Sequence, residues 1–369
     1  MLKQISLLIL CAAAIVWFAT PVQACTSAVV SGKVTPDGRP LLWKNRDTDF
    51  MRNHVDYVKG EKYDFIAVVN SANAYLKEAW MGTNSSGFAL MNTQSYNLVD
   101  VKGDEERGAA NGRVIYRALE VCATVEDFCH FLDTISKPSD IEANFGVIDA
   151  QGGAAMFEVD YHKYVMCDAN NPKDAPYGYI ARTNFSFAGK VNEGAGYVRY
   201  MEADQVLMKA SATGSITPQF IFNDLSRSFR NRMLDIDLRS GAYNRPQASG
   251  WFVDQDFIPR SSTSCSVVVQ GVKPGEKAEL TTMWTLLGYP PTGIAIPLWV
   301  KDAGKLLPGM VRFGKEHEAA PLSDWSLRLA DRVFSYKQGM GTGRYLNWER
   351  LYSPEKGDGL SLIHISEPT

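Results

Sequence analysis

The segment between residues 25 and 49 constrains the fold most strongly, because it has the pattern of a β-hairpin. An apolar strand begins at Cys25. Residues 35–38, Thr-Pro-Asp-Gly, are turn formers, and residues 40–44 supply a second apolar strand. In such a hairpin the second strand runs back along the first, so residues near its end lie beside Cys25.

The arithmetic of this hairpin predicts which residues those are. Residues 25 and 49 are equidistant from Asp37, so an unbulged antiparallel pairing places Asp49 beside Cys25. Arg46 then lies one turn of the pleat away. A cysteine with a carboxylate and a guanidinium folded against it is a candidate catalytic group.

Residues 1–24 have the pattern of a secretory signal peptide. A single charge at Lys3 precedes an apolar run over residues 5–18, and Val22 and Ala24 form a small-residue cleavage site. The apolar run is shorter than the roughly 20 residues that a membrane span requires. We therefore expect cleavage after Ala24 and a periplasmic or secreted protein whose first residue, Cys25, has a free α-amine.

Lipoprotein processing is the alternative at this position, because lipoproteins are also cleaved immediately before a cysteine. Gln23 occupies a position where a small residue is usual, and no flexible polar tether follows Cys25. A lipid on Cys25 would lie against the core, since the chain continues directly into an apolar strand. The lipoprotein alternative, a lipid-anchored binding protein, is thus the less favoured one.

Composition and charge exclude several other classes of protein. The formal net charge is −3, and no basic cluster is present, so we expect no nucleic-acid partner. The hydrophobic fraction of 45% is typical of a globular protein, and no later segment reaches membrane-spanning length. The sequence has no C-x-x-C motif or His/Cys cluster, and we predict neither a metal nor an organic cofactor.

Five cysteines remain after the predicted signal is removed. This odd number leaves at least one free thiol, and the spacing does not determine how the other four would pair. Cys129 and Cys265 are best interpreted as small buried residues. Pairing among these four stays open at this point: Cys122, Cys129, Cys167 and Cys265.

The order of helix and strand patterns predicts an α+β fold. Residues 113–122 have a helical apolar face, and Thr124 with Asp127 has the spacing of a capping box for a second helix. Strands come in antiparallel hairpins, such as residues 145–149 with 154–159. Two sheets between helix layers fit this order better than alternating β-α-β units. We assign residues 25–360 to one domain and residues 361–369 to a non-native, disordered tail.

A processed N-terminal cysteine combines two catalytic groups. Its thiol is the nucleophile, and its own α-amine, with an ordinary pKa of about 7.7–8.0, takes the thiol proton and later returns it to the leaving amine. A catalytic histidine is then unnecessary, which agrees with the presence of only five histidines. Asp49 is expected to hold the amine or thiol in place, and Arg46 to favour the thiolate.

The chain resembles the N-terminal-nucleophile hydrolases. The resemblance is to the choloylglycine hydrolase and penicillin V acylase type and to the related acyl-CoA:6-aminopenicillanate acyltransferases. It covers roughly residues 25–300 and is strongest between Cys25 and Asp49. The motifs that carry it are Cys-Thr at 25–26, Arg-Asp-Thr-Asp at 46–49, residues 87–92, 182–184 and 196–199, and Thr-Thr-Met-Trp at 281–284 with Leu-Gly-Tyr-Pro-Pro at 287–291.

This resemblance implies a four-layer αββα sandwich and hydrolysis of a linear, non-peptide amide. It makes Cys25 the nucleophile, with Arg46 and Asp49 as its partners. It also implies that Asn184 contributes to the oxyanion hole, that Asn92 is a second asparagine nearby, and that Arg199 lies on the substrate side.

The resulting hypothesis is an exported amidohydrolase acting on an N-acylated small molecule through a thioester at Cys25. Acyl transfer to an amine is the alternative within the same chemistry, because it differs only in whether water reaches the thioester. The sequence is also compatible with a homo-oligomer.

Overall fold

The computed structural model describes residues 24–99, 108–240, 251–254, 256–335, 344–352 and 359–361. The strands are β1 Thr26–Val30, β2 Leu41–Asp47, β3 Asn53–Val58, β4 Phe65–Asn70, β5 Met81–Asn84, β6 Ala89–Gln94, β7 Ala143–Ile148, β8 Ala154–Val159, β9 Tyr164–Asp168, β10 Tyr179–Arg182, β11 Arg230–Asn231, β12 Ile236–Asp237, β13 Trp251–Val253, β14 Thr263–Gln270, β15 Thr282–Leu287, β16 Ala295–Leu298, β17 Phe334–Ser335 and β18 Tyr345–Asn347. The helices are α1 Asn111–Val121, α2 Val125–Thr134, α3 Tyr197–Ala212, α4 Pro218–Phe220, α5 Ala303–Leu306, α6 Pro321–Asp331 and α7 Trp348–Leu351. A π-helical turn, Ile221–Leu225, continues from α4.

Two large antiparallel sheets form the centre of the molecule. The first sheet has the strand order β10-β1-β2-β14-β15-β16, and the second is a meander from β3 to β9. All pairings within both sheets are antiparallel. The strand that begins after Cys25 therefore lies inside the first sheet, between β2 and β10.

Three apolar clusters define four layers. One cluster, which includes Val29 of β1 and Met156 of β8, fills the space between the two sheets. A second joins the outer face of the second sheet to α1 and α2, with Phe128 at its centre. The third joins the outer face of the first sheet to α3, and it contains Trp43 of β2. The layer order is thus helix, sheet, sheet, helix, and the predicted α+β αββα sandwich is confirmed.

Local sequence signals placed several elements correctly. Thr124 and Asp127 form the predicted capping box at the start of α2, with both reciprocal hydrogen bonds present. Thr217 caps α4, and Pro218 occupies its first turn. The edge strand β3 was not predicted.

The predicted register of the first hairpin is wrong. Thr26 pairs with Asn45, and Val30 pairs with Leu41, so the midpoint of the hairpin lies between residues 35 and 36. The cause is a 3₁₀ turn, Gly32–Val34, which ends β1 early and whose N-cap is Ser31. Extended by one residue, this pairing brings Cys25 beside Arg46.

The two ends of the chain are only partly described. The predicted signal peptide, residues 1–23, lies outside the described residues, and Ala24 is buried. Ser361, the first residue of the predicted tail, is buried, and its backbone N–H donates to the Leu351 carbonyl at 2.9 Å. The expectation of disorder is therefore wrong for Ser361. Residues 362–369 lie outside the described part of the chain.

The five cysteines of the described ranges are all free thiols. The Cys129 Sγ lies 3.9 Å from the Met166 Sδ, and Cys265 is buried in the cluster between the sheets. Among the helices that the structure describes, none combines the length and the hydropathy of a membrane span.

We predict that truncation of Phe128 weakens the outer helix layer. This ring is fully buried and contacts the rings of Phe88, Phe145 and Phe157. Phe128→Ala should lower the free energy of unfolding by about 3–5 kcal/mol, because it leaves a cavity that neighbouring rings cannot fill. Urea denaturation measures this loss.

Phe131→Ala is the control, because this ring stacks on Phe128 but is only partly buried. Its loss of stability should be no more than about half as large. Equal losses for the two variants would contradict the packing described for α2.

Candidate active site

Cys25 lies at the entrance to the space between the two sheets. Its side chain is buried, with 5% exposure, and its Sγ is 3.9 Å from the main-chain oxygen of Asp47. Because side chains alternate along a strand, Cys25 shares the inward face of β1 with Val29, which packs between the sheets. The sulfur is therefore directed away from the helix layer that covers the first sheet.

Two basic residues of β2 share this inward face. Lys44 Nζ donates to Asn92 Oδ1 at 2.9 Å and to the Trp80 carbonyl at 3.1 Å. Arg46 donates to Asn53 Oδ1 at 2.6 Å and to Asn70 Oδ1 at 2.8 Å, so it connects the first sheet to the second. All four acceptors are neutral, and neither cation forms an ion pair with the described residues.

Trp80 lies against both cations. Its ring centroid is 4.6 Å from the guanidinium carbon of Arg46 and 6.0 Å from Lys44 Nζ. Cation–π attraction of this kind stabilises buried positive charge without supplying a negative one. The position of this ring against the two cations is a finding of the structure.

Burial controls the electrostatics of this face. It lowers the pKa of Lys44 to about 8, and the neighbouring positive charge of Arg46 acts in the same direction. The pKa of Cys265, which pairs with Arg46 on β14, is raised to about 11 by burial, so that thiol stays neutral at pH 7. Lys44 and Arg46 thus place positive charge near Cys25, and the Asp47 and Glu78 carboxylates offset part of it.

Asn92 is held so that its amide group has a fixed orientation. Its Oδ1 accepts the hydrogen bond from Lys44, and the side chain is 3% exposed. This leaves the amide nitrogen as the group that can donate to a substrate oxygen. The predicted proximity of Asn92 to the cysteine site is therefore supported by its contact with Lys44.

The backbone of Cys25 is held on the other side of the sheet by Asn184 and Arg199. The Cys25 N–H donates to Asn184 Oδ1 at 2.9 Å, and Asn184 Nδ2 donates to the Gln94 carbonyl at 2.8 Å. Arg199 donates to the Cys25 carbonyl, to Thr26 Oγ1 at 3.0 Å and to Asn184 Oδ1 at 3.0 Å. Both predicted residues are thus brought to Cys25, but through its main chain.

Arg199 is fully buried, with 1% exposure, and it lies in the first turn of α3. Gly196 precedes that helix with a φ of 85°, a conformation that favours glycine. A Cβ at this position would collide with the Arg199 guanidinium. The loop before α3 can therefore approach Arg199 closely only because it has no side chain there.

Asp47, which the sequence analysis did not select, forms the anionic part of the site. It is buried, and its carboxylate accepts from Thr263 Oγ1 at 2.6 Å and from Arg260 Nε at 2.8 Å. Arg260 also donates to Asp256 at 2.8 Å, and Asp256 accepts from Arg199 at 2.9 Å. Burial raises the pKa of Asp47, while the Arg260 charge opposes the rise.

Asp49 is not the strand partner of Cys25, because the observed register places Arg46 there; its predicted role in holding the Cys25 amine or thiol stays a prediction. It is exposed and lines two surface cavities. Arg46 is adjacent to Cys25 in register, but its hydrogen bonds go to the second sheet. Thus Arg46 contributes charge near the sulfur rather than a direct hydrogen bond.

Lys44 and Asp47 were missed because of the register error. With the hairpin centred between residues 35 and 36, the strand partners of the Cys25 region are residues 44–47. A Ser at position 31 followed by Gly32 and Lys33 was the available signal for an early turn. Within the described ranges, no three His, Cys, Asp or Glu side chains are grouped as a metal site would require.

Comparison with known proteins gives one family model that matches part of the chain. A sequence model of acyl-coenzyme A:6-aminopenicillanic acid acyl-transferase matches residues 34–211. The matched segment makes up slightly less than half of the chain. The match includes Lys44, Asn92, Asn184 and Arg199, and it begins nine residues after Cys25.

The match agrees with the predicted resemblance to the acyl-CoA:6-aminopenicillanate acyltransferases, one of the groups named in the sequence analysis. The matched model describes an enzyme family, which agrees with the prediction that the chain is an enzyme. No curated protein matches the chain significantly.

Several solved structures are similar to the chain. A mutant conjugated bile acid hydrolase from Clostridium perfringens has 12% identity and a TM-score of 0.45, covering 75% of this chain and 93% of its own. Penicillin V acylase from Agrobacterium tumefaciens has 15% identity and a TM-score of 0.41, covering 75% and 86%. A Caenorhabditis elegans N-acylethanolamine-hydrolyzing acid amidase ortholog has 17% identity and a TM-score of 0.37, covering 55% and 89%.

We predict that Asp47 and Asp49 differ sharply in their effect on stability. Asp47→Asn should lower the free energy of unfolding by about 3 kcal/mol, because it leaves Arg260 largely buried beside a neutral amide. Asp49→Asn should change it by no more than about 0.5 kcal/mol, since Asp49 is exposed. Chemical denaturation of both variants measures these values, and a larger loss for Asp49→Asn would contradict the observed register.

Proposed function

We propose that this chain is an exported amidohydrolase that cleaves a linear C–N amide bond of an N-acylated small molecule. Cys25 is the N-terminal nucleophile of the mature enzyme. The observation that carries the proposal is the position of two groups of this residue, its main-chain nitrogen and its thiol. Its main-chain nitrogen contacts Asn184, while its thiol faces the buried cations Lys44 and Arg46.

Cleavage after Ala24 converts the main-chain nitrogen of Cys25 into an α-amine. Ala24 lines a cavity of about 250 Å³ together with Arg199, Asp256 and Arg260. Removal of the residues that precede Cys25 opens this cavity to the new amine. Asn184 Oδ1 then holds the amine near the thiol, which is the geometry that an N-terminal base requires.

In the first half of the reaction, the α-amine takes the proton of the Cys25 thiol and the sulfur attacks the amide carbonyl carbon. The carbonyl oxygen gains negative charge as the tetrahedral intermediate forms. The Asn92 amide nitrogen and the positive charge of Lys44 are the groups available to stabilise it. The C–N bond then breaks, and the α-ammonium gives its proton to the leaving amine.

In the second half, the thioester on Cys25 is hydrolysed. Water attacks the thioester carbonyl, and the α-amine takes the proton of the water. The carboxylic acid leaves, and the sulfur recovers its proton. Arg199 keeps the Cys25 backbone fixed through both halves, because it binds the Cys25 carbonyl and the Asn184 amide oxygen together.

Acyl transfer is the second candidate function, and the family match is the observation that favours it. An amine acceptor would replace water in attacking the thioester. Addition of glycine, hydroxylamine and 6-aminopenicillanate to a reaction that forms the thioester distinguishes the two outcomes. A hydrolase gives mainly free acid, and a transferase gives mainly the new amide.

We predict that Cys25→Ala removes amide cleavage. The variant should lose about 10³-fold or more in kcat/KM, because neither sulfur nor a substitute nucleophile remains. Amine release from penicillin V, conjugated bile salts, acyl-homoserine lactones and N-acyl amino acids measures the activity.

Cys265→Ala is the matched control, since its thiol is also buried and also faces Arg46. It should retain turnover. Cleavage by Cys25→Ala at the wild-type rate would contradict the proposed mechanism, and so would equal losses in the two variants.

Lys44 should determine the alkaline limit of activity. Its pKa of about 8 means that the side chain is charged below pH 8 and neutral above it. As the pH rises through 8, the positive charge that stabilises the oxyanion is lost, so kcat/KM should fall. Lys44→Arg keeps the positive charge at all accessible pH values. The fall in kcat/KM on the alkaline side of the pH profile should therefore move upward by at least about one pH unit. An unchanged alkaline limb in Lys44→Arg would contradict this role.

A further inference from the structure

A single carboxylate oxygen joins the two arginines that hold the first hairpin at its open end. Asp256 Oδ1 accepts from Arg199 Nε at 2.9 Å and from Arg260 Nη1 at 2.8 Å. Arg199 in turn binds the Cys25 carbonyl, whereas Arg260 binds the Asp47 carboxylate. Asp256 therefore connects the side chain that holds the main chain of Cys25 to the side chain that holds the end of β2.

The residues that follow Asp256 keep its carboxylate in place. Phe257 is buried and packs edge-to-face on Phe229, with ring centroids 5.8 Å apart. Ile258 is fully buried in the apolar cluster between the first sheet and α3. Because these two side chains are anchored in two different clusters, the segment that carries Asp256 has little freedom to move away from the arginines.

The charge of Asp256 offsets repulsion between the two guanidinium groups. Burial lowers the pKa of Arg199, the positive charge of Arg260 lowers it further, and the charge of Asp256 opposes both effects. Burial also acts against the charge of Arg260, but the carboxylates of Asp47 and Asp256 outweigh it and raise the pKa of that residue. Loss of the Asp256 charge would therefore leave excess positive charge beside the main chain of Cys25.

Asp256 also faces the place where the α-amine of the mature chain would form. Its side chain is 32% exposed, and it lines the cavity of about 250 Å³ that contains Ala24. One guanidinium group separates it from the main-chain nitrogen of Cys25. Arg199 donates both to Asp256 and to Asn184 Oδ1, and the same Asn184 oxygen accepts from the Cys25 N–H. The Asp256 charge is thus close enough to affect an amine at this position.

Other charged groups surround the same region, and their partners distinguish them from Asp256. Asp47 is buried and paired with Arg260, and Asp254 accepts from the Ser261 N–H and hydroxyl rather than from either arginine. Burial raises the pKa of Asp254 to about 6. The remaining charged groups are Asp49 and Arg344, which line the cavity, and Lys44 and Arg46 on the inward face of the hairpin.

We propose that Asp256 is a positioning residue for the N-terminal nucleophile. Its carboxylate keeps Arg199 aligned with the Cys25 carbonyl and with Asn184, which holds the α-amine. Its negative charge also favours the protonated amine, which makes the amine a stronger base for the proton of the Cys25 thiol. The inference rests on the proposed function, because it requires Cys25 to be the first residue of the mature chain.

Titration of the α-amine tests the effect of the charge directly. Competitive labelling with acetic anhydride, measured on the N-terminal peptide by mass spectrometry, gives the pKa of the amine at residue 25. The mature chain carries Cys25→Ala in this measurement, so no thiol reacts and no turnover is needed. Adding Asp256→Asn should lower the pKa of the amine by about 0.5, because a nearby negative charge is lost. A pKa that is raised, or that stays within about 0.2 of its original value, would overturn the proposal.

Kinetics of the enzyme with Cys25 intact measure the positioning. Asp256→Asn should reduce kcat about tenfold to hundredfold and change KM by less than about threefold, because the nucleophile is misaligned while the substrate site is retained. The fall in kcat/KM on the acid side of the pH profile should move to lower pH by about 0.5. Asp256→Glu restores the charge and should return this fall to within about 0.2 of its wild-type pH. A change in KM alone would contradict the positioning role.

Asp237→Asn is the matched control. This carboxylate is also partly exposed and also pairs with an arginine, accepting from Arg230 Nε at 2.6 Å, but it belongs to the small β11–β12 sheet. The variant should leave the pKa of the α-amine and the value of kcat unchanged. An equal fall in the pKa of the amine in Asp237→Asn and Asp256→Asn would overturn the specific role of Asp256.

Arg260→Gln decides the question if Asp256→Asn fails to fold. It removes the positive partner of Asp256, so the pKa of the α-amine should rise by about 0.5, opposite to the effect of Asp256→Asn. A fall in this pKa, or no change, would overturn the proposal. If the wild type cleaves no amide but the labelling results are as expected, the amidohydrolase proposal fails and the role of Asp256 in holding the α-amine stands.

Discussion

Two cations buried between the sheets, Lys44 and Arg46, are the constraint on which the rest of the site depends. Transfer of each ion from water costs several kcal/mol, and a nearby carboxylate is the usual compensation. Here the hydrogen-bond acceptors are three asparagine oxygens and the Trp80 carbonyl, all of them neutral. The compensation is therefore incomplete in the absence of an anion, and the region next to Cys25 favours any group that develops negative charge. A tetrahedral oxyanion is such a group.

The first hairpin uses its two faces for different purposes. Its inward face supplies positive charge through Lys44 and Arg46, and its outward face holds Thr26 and Asp47 in hydrogen bonds with Arg199 and Arg260. Because a strand alternates its side chains, one seven-residue strand, β2, can serve both purposes. Arg199 and Arg260, which bind this outward face, also both donate to Asp256. The backbone of Cys25 is thereby held from the outward face of the hairpin. Its buried sulfur lies on the inward face, near the positive charges of Lys44 and Arg46.

The sequence predicted those features that local chemistry determines. The capping box at Thr124 depends on residues three positions apart, and the layer order follows from which strands form hairpins. The register of the first hairpin depends instead on Ser31, whose hydroxyl donates to Asn170, a residue distant in sequence. That contact could not be derived from the hairpin alone, and the error moved the predicted strand partner of Cys25 from Arg46 to Asp49. Asn92, Asn184 and Arg199 were selected through family resemblance, since no local pattern links them to Cys25.

The central claim is that the mature chain begins at Cys25 and that this residue carries the acyl group. Intact-mass and peptide mass spectrometry of exported enzyme, acid-quenched during turnover of an activated acyl ester, test it most directly. The account predicts an unmodified N-terminal Cys25 before reaction and, after quenching, an added mass equal to the acyl group on the Cys25 sulfur. A chain that begins elsewhere, a lipid-modified Cys25, or an acyl group located on another residue would contradict it.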